Sequence, residues 1–109
     1  MERFVKGDVV VVPFPYVDFS SAKRRPAVVV AALEGDDLIL CEVTSSRTDK
    51  YSVQIEVSDF KKGNLNITSN ARPNRLFTFY SKSIEYKIGT LKESKINEIM
   101  HRIQEIFNA

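Results

Sequence analysis

The fold is decided by residues 26–43, which read PAVVVAALEGDDLILCEV. Residues 26–33 form an apolar run that is too long and continuous for a strand with one exposed face. Gly35-Asp36-Asp37 then supplies turn-forming residues, and a second apolar run follows at residues 38–43. The stretch therefore predicts an antiparallel hairpin of two buried strands.

Weaker strand signals lie on both sides of this hairpin. Residues 8–12 are a β-branched run closed by Pro13-Phe14-Pro15, which predicts a strand ending in a rigid turn because proline cannot donate to a β-ladder. A polar loop is predicted over residues 16–25. Apolar and polar residues alternate at period two over residues 51–57, as in a strand with one wet face. Two further strands are predicted at residues 76–79 and 84–88.

Helical periodicity is confined to the end of the chain, where apolar residues recur at the spacing of an amphipathic helix. These residues are Ile96, Ile99, Met100, Ile103 and Ile106 or Phe107. Thr90-Leu91-Lys92-Glu93 fits a capping box, which predicts that the helix begins near Leu91. Short strands followed by one helix predict a mostly β fold, a small curled antiparallel barrel or sandwich with a C-terminal helix.

Length and composition indicate that the chain folds as one small unit. With 109 residues and 43% hydrophobic content, we expect a single domain over residues 1–109. A net charge of +2 is too small for a dedicated nucleic-acid coat, so any contact with RNA or DNA must come from a local patch. The single cysteine, Cys41, favours a reducing compartment. Without a leader-like or membrane-spanning apolar segment, we expect a cytoplasmic protein with no membrane contact.

Several kinds of catalytic site are disfavoured by the residue types present. His101 is the only histidine and lies off the apolar stripe of the helix, so a two-histidine acid–base pair cannot form within one chain. The aspartates are scattered without the spacing of metal ligands, and the four glycines are isolated rather than grouped in a phosphate-binding loop. We therefore expect neither a metal nor a cofactor.

Cations and hydroxyls are predicted to meet at one end of the central hairpin. Lys23-Arg24-Arg25-Pro26 stands where a loop enters the first buried strand, and adjacent cations favour a polyanionic partner. Thr44-Ser45-Ser46 follows the second strand, which returns to the same end, so we expect Arg25 and Thr44 to be close. Each feature taken alone is also typical of a solvated loop or a turn.

Two further groups could extend such a site. Residues 68–75 are a polar cluster that contains Ser69 and Arg72 and precedes a predicted strand. Phe14 and Tyr16, in the first loop, could stack on nucleic-acid bases, although aromatic side chains in loops are equally often packing residues.

Together these segments resemble the MazF/PemK family of toxin–antitoxin endoribonucleases. The resemblance is carried by Gly7-Asp8-Val9-Val10, Pro13-Phe14-Pro15-Tyr16, Lys23-Arg24-Arg25-Pro26-Ala27-Val28-Val29-Val30 and Val43-Thr44-Ser45, with residues 65–78 similar to a later polar block. It implies an SH3-like barrel with a C-terminal helix, a homodimer, a cognate antitoxin and cleavage of single-stranded mRNA at short sequences.

The resemblance also implies roles for individual residues. The arginine before the proline and the threonine that ends the next strand are the family's catalytic pair, which here are Arg25 and Thr44. The predicted RNA-binding residues are Phe14, Tyr16, Lys23, Arg24, Ser45, Ser69 and Arg72. Cleavage without a metal uses the 2′-hydroxyl as nucleophile and gives a 2′,3′-cyclic phosphate and a 5′-hydroxyl. Arginine is a poor base, so Arg25 is assigned mainly to stabilising the charged transition state.

Two alternatives from other functional classes stay open at this point. The CcdB family resembles this one in fold but poisons DNA gyrase by binding, and such a toxin has no use for an Arg25–Thr44 pair. A non-catalytic RNA-binding barrel would use Arg24, Arg25, Arg72 and Arg75 for phosphate contacts and would leave the RNA intact. The recognised RNA sequence, the antitoxin and the general base are not determined by these residues.

Overall fold

A computed structural model describes residues 3–15, 22–46 and 48–109 of the chain. Its elements confirm the predicted mostly β fold with a C-terminal helix. The strands are β1 (Asp8–Pro15), β2 (Ala22–Ala32), β3 (Asp37–Thr44), β4 (Val53–Ile55), β5 (Phe60–Gly63), β6 (Ser69–Tyr80) and β7 (Tyr86–Leu91), and the helix is α1 (Glu93–Phe107). Short 3₁₀ turns occupy Val57–Asp59 and Ser81–Ser83.

The described strands form one antiparallel sheet that curls into a half-barrel. Its order is β4-β6-β3-β2-β1-β7-β5, so the predicted hairpin, β2 and β3, lies at the centre. Val28 pairs with Cys41 and Ala27 with Glu42, which confirms the antiparallel pairing predicted from residues 26–43. Among the described residues, no helix is long and apolar enough to cross a membrane.

Both faces of the central strands are buried, which is the physical reason for their continuous apolar sequence. One face packs with α1 in a cluster that includes Val9, Val28, Val30, Cys41, Val43, Ile99 and Ile103. The opposite face forms a second cluster around Val10, Val12, Ala27, Val29, Leu38 and Leu40, onto which Phe77 and Phe79 pack. Cys41 is a packing residue in the first cluster, and burial raises the pKa of its thiol to about 12.

The first hairpin is longer than the sequence predicted. β1 runs through both prolines and pairs with β2 from Val9↔Val28 to Pro15↔Ala22, so the turn predicted at residues 13–15 is wrong. β7 pairs with β1 only as far as Val11, so the prolines stand where no second neighbour needs an N–H donor. The three cations that were expected in a loop therefore belong to β2.

The polar cluster at residues 68–75 is also strand rather than loop. β6 begins at Ser69, and Asn70 pairs with Thr44 on one side and with Gln54 on the other. Hydrogen-bond partners on both sides override the low strand propensity of these polar residues. The strand predicted over residues 51–57 is correspondingly short, because only Val53–Ile55 pair with β6.

The helix begins two residues later than the capping-box prediction placed it. Its N-cap is Lys92, which makes no side-chain cap, and Thr90 lies in β7. The Thr90 hydroxyl instead donates to Oδ1 of Asp8 at 3.0 Å, while the Val5 amide donates to Oδ2 at 2.9 Å. Asp8 is buried, so these donors satisfy a carboxylate that would otherwise lack partners.

β5 and β7 approach so closely that neither strand has room for a side chain at the crossing. Gly63 and Gly89 are register partners there. A Cβ on Gly89 would fall on the carbonyl oxygen of Lys62, and a Cβ on Gly63 would fall on that of Ile88. Gly63 also has a φ of +71°, a conformation that glycine adopts without strain.

Candidate functional site

A cleft of about 580 Å³ opens where β2 begins and β3 ends. Five of the predicted site residues line it: Arg24, Arg25, Thr44, Ser45 and Ser69. The register of β2 and β3 pairs Ala27 with Glu42, and continued by two residues it sets Arg25 opposite Thr44. The structure thus brings the predicted cations and hydroxyls to one wall of one cleft.

The cations of this wall are held by acidic side chains. Arg24 Nε lies 2.7 Å from Glu85 Oε1, although the Arg24 side chain is 69% exposed. Arg25 Nη1 lies 4.0 Å from Glu42 Oε1, and the Arg25 side chain is only 29% exposed. Arg24 therefore projects toward solvent, whereas Arg25 is partly enclosed beside the hydroxyls.

The hydroxyls of the cleft are fixed by local hydrogen bonds. Thr44 Oγ1 accepts from the Ser46 amide at 3.3 Å and lies 3.3 Å from the Ser46 hydroxyl. Ser69 is buried and donates to the Ile67 carbonyl at 3.1 Å. Ser45 is exposed at the end of β3. Thr44 and Ser69 are thus positioned by local hydrogen bonds at the polar edge of the cleft.

Apolar residues form another part of the lining of the cleft, its apolar wall, and no sequence pattern indicated a function for it. It is formed by Leu65, Ile67, Tyr86 and Ile88. Tyr86 is 55% exposed and Ile67 is 57% exposed, so both present apolar surface to solvent. Tyr86 pairs with Val11 in the register of β7 and β1, and both residues line the cleft. A cleft lined by both apolar and cationic side chains can accept a ligand with a flat ring and an anion.

Arg72 does not line this cleft. Its Nη2 donates to Asp49 Oδ2 at 3.2 Å, and its side chain is mostly buried. The Tyr51 amide, followed by the Arg72 side chain, lowers the pKa of the Asp49 carboxyl, which favours its carboxylate form. The structure places the predicted RNA contact Arg72 in an ion pair that organises the loop before β4.

Three of the predicted RNA-binding residues lie, wholly or in their side chains, outside the described part of the chain. Tyr16 lies outside the described residues, and so do the side chains of Phe14 and Lys23. The backbone pairs Phe14 with Lys23 at the far end of the first hairpin. Their role in RNA binding stays a prediction.

Metal-ligating side chains are not clustered in the described part of the chain. No group of three or more His, Cys, Asp or Glu residues there is arranged to hold a metal ion. His101 is exposed on α1, 3.6 Å from Glu105, and does not line the cleft. The chemistry available at the cleft is that of guanidinium groups and hydroxyls.

A family model for PemK-like, MazF-like toxins of type II toxin–antitoxin systems matches residues 5–107. The chain belongs to this toxin family. The match runs from just before β1 to the end of α1, so it includes both strands that form the polar wall of the cleft. The resemblance of this toxin to the MazF/PemK family, predicted from its motifs, is confirmed.

Solved structures share the fold of the toxin at low sequence identity. MazF from Deinococcus radiodurans has a TM-score of 0.77 and 15% identity, with 100% of each chain covered. An endoribonuclease in complex with its cognate antitoxin, from Mycobacterial species, has a TM-score of 0.76 and 15% identity over 97% of this chain and 96% of that one. A MazE–MazF structure from Deinococcus radiodurans has a TM-score of 0.75 and 15% identity, with 95% of each chain covered. A comparison with curated protein sequences found no match.

Proposed function

We propose that this toxin is a metal-independent endoribonuclease that cleaves single-stranded mRNA at short sequences. The observation that carries the proposal is the cleft that Arg25 and Thr44 line together with apolar residues. A guanidinium and a hydroxyl suit a phosphodiester, and the apolar wall suits the base beside it. The family to which the chain belongs supports the same activity.

The proposed reaction is an in-line attack by the ribose 2′-hydroxyl on the adjacent phosphorus. A 2′-O–P bond forms as the P–O5′ bond breaks; the 2′-hydroxyl gives up its proton and the departing 5′ oxygen gains one, so protons balance over the step. Arg25 stabilises the extra negative charge of the pentavalent phosphate, and the Thr44 hydroxyl holds one of its oxygens. The products are a 2′,3′-cyclic phosphate and a 5′-hydroxyl, and the enzyme acts chiefly by positioning and by charge stabilisation.

We further propose a cognate antitoxin and a homodimer as the partners, with the cytoplasm, where mRNA is found, as the place of action. Two of the solved relatives are complexes with an antitoxin or with MazE. A disordered acidic and hydrophobic segment would match a cleft lined by Arg24, Arg25 and apolar residues. The dimer is proposed from the family to which the chain belongs, since Ile99 and Ile103 of α1 are already buried within the protomer.

The proposed function is tested by incubating the purified toxin with mixed-sequence single-stranded RNA in EDTA and mapping the 5′ ends of the fragments. We expect discrete cuts that leave 5′-hydroxyl ends. A second RNA then carries a single 2′-deoxynucleotide on the 5′ side of a mapped cut, which removes the proposed nucleophile. Cleavage at that bond should vanish while other cuts persist.

Three other outcomes would overturn the proposal in different ways. Cutting that persists at the 2′-deoxy position would exclude attack by the 2′-hydroxyl. Intact RNA that shifts on a native gel would indicate a non-catalytic RNA-binding barrel. Intact RNA without a shift would favour a toxin whose target is a protein.

The apolar wall predicts a stacking contact between Tyr86 and one base of the substrate. We expect Tyr86→Ala to raise the KM for a short substrate about tenfold, since loss of one aromatic–base stack weakens binding by that order. Tyr86→Phe should retain native KM, because the ring remains. The measurement is steady-state cleavage of a short RNA that contains one mapped site.

An abasic substrate provides the control for this contact. Removing the stacked base should raise KM for the native toxin and have no further effect on Tyr86→Ala, because both changes remove the same interaction. If the effects of the abasic site and of the substitution add at every position tested, Tyr86 does not stack on a base.

A further inference from the structure

A buried carboxylate stands between two arginines beside the cleft. The Glu42 side chain is only 10% exposed. Its Oε1 lies 4.0 Å from Arg25 Nη1, and its Oε2 accepts a hydrogen bond from Arg75 Nε at 3.2 Å. Since a buried carboxylate is stable only with charged or donating partners, the three side chains form one linked group.

An irregularity in the sheet creates this group. β3 pairs with β6 at Cys41↔Leu76 and then at Glu42↔Arg72, so residues 73–75 of β6 have no register partner on β3. The extra residues at this bulge bend β6 and re-aim its side chains, as bulges do. Arg75, at the end of the bulge, reaches back to Glu42.

Glu42 itself is placed to act on Arg25 rather than on a substrate. It is absent from the lining of the cleft, whereas Arg25 and Thr44 both line it. Along β3, Glu42 and Thr44 are two residues apart and so point to the same side of the sheet. Two guanidinium groups outweigh one carboxylate, so the group keeps a net positive charge with which Arg25 can meet a phosphate.

We propose that Glu42 is a positioning residue for the ribonuclease reaction: anchored by Arg75, it holds the Arg25 guanidinium at the margin of the cleft. This inference rests on the proposed function and adds to it a residue that the motifs of the chain did not indicate. Positioning matters because displacement of a catalytic group by about 1 Å can slow a reaction by roughly 100-fold. The bulge in β6 thereby becomes part of the site.

The test is a comparison of Glu42→Gln with the native toxin on an RNA that the native toxin cleaves. Glutamine keeps the size and a hydrogen-bond acceptor but removes the charge that holds Arg25. We expect kcat to fall roughly 10- to 100-fold while KM stays within about twofold. Glu105→Gln is the matched control. Glu105 pairs with Arg102 at 3.1 Å on the solvent-facing side of α1, so this substitution should leave both constants native.

A second experiment distinguishes a role through Arg25 from a purely structural role of Glu42. Glu42→Gln is repeated in a protein that also carries Arg25→Lys. If Glu42 acts through Arg25, the double variant should be no slower than Arg25→Lys alone. An equal loss in both backgrounds, or native kcat in Glu42→Gln, would overturn the inference. Absence of cleavage by the native toxin would instead refute the proposed function.

A second variant keeps the inference testable if Glu42→Gln does not fold. Arg75→Gln removes the anchor from a side chain that is 57% exposed, so the core is left intact. It should lower kcat by a smaller factor than Glu42→Gln does and leave KM unchanged. A raised KM with native kcat would show that Arg75 contacts RNA directly and would contradict its anchoring role.

Discussion

Arg25→Ala is expected to lower kcat for RNA cleavage by about 100- to 1,000-fold, the usual effect of removing one preorganised group that stabilises transition-state charge. The side chain is partly enclosed in the cleft wall, where its charge is less screened than that of an exposed arginine. The measurement is single-turnover cleavage of a short RNA in EDTA. KM should change much less than kcat, because the extra negative charge develops only in the transition state.

The matched control for this prediction is Arg102→Ala. Arg102 also pairs with a glutamate, but it lies on α1 outside the cleft, so its removal should leave cleavage native. Thr44→Val keeps the shape of the buried Thr44 and removes only its hydroxyl, and it should produce a smaller loss of kcat. Native activity in a folded Arg25→Ala protein would refute the assignment of Arg25 as a catalytic residue.

Gly89→Ala is expected to lower the free energy of unfolding by about 3 kcal/mol, at the upper end of the usual penalty for overpacking. The new methyl group would collide with the Lys62 carbonyl, which belongs to the backbone of β5 and cannot rotate away. Relief requires β5 and β7 to separate, with loss of their pairing at Gly63↔Gly89. Urea unfolding, monitored by circular dichroism, measures the change.

Gly35→Ala provides the comparison, because a Cβ at Gly35 meets no atom within 4 Å. Its φ of +78° still strains an alanine by about 1 kcal/mol. Gly89 does not have a positive φ, so its loss reports the clash, and Gly35→Ala shows how large a loss backbone strain produces without a clash. If Gly89→Ala unfolds at the same urea concentration as Gly35→Ala, the strands separate at little cost and the close crossing is not essential.

The central part of the fold could be predicted from sequence because burial on both faces leaves a strong apolar signal. Residues 26–43 indicated β2 and β3, and the spacing of Ile96, Ile99 and Ile103 indicated α1. β5 was missed, since Phe60-Lys61-Lys62-Gly63 has one buried residue and three exposed ones. The capping box at Thr90 was wrong because a distant carboxylate, Asp8, captures the hydroxyl. Contacts between residues far apart in sequence leave no local pattern.

The candidate site shows the same contrast between local sequence patterns, which could be recognised, and long-range contacts, which could not. Arg25 and Thr44 were predicted from motif and hairpin geometry, and both line the cleft. Arg72 was grouped with them by its polar neighbours, but its pairing with Asp49 depends on the path of the loop before β4. Glu42 looked like an isolated charge in an apolar strand, and its partners Arg25 and Arg75 were recognisable only once the bulge of β6 was known.

Because β2 and β3 lie at the centre of the sheet, the site should open only when the whole protein unfolds. Val29 and Leu40 are fully shielded from water, and these strands carry Arg25 and Thr44 at their ends. Amide hydrogens there should exchange with solvent only when the whole chain opens, whereas the sheet edges at β4 and β5 fray on their own. A protease that attacks locally opened segments would clip the edges first, so proteolysis of the strands that carry Arg25 and Thr44 requires the whole chain to open.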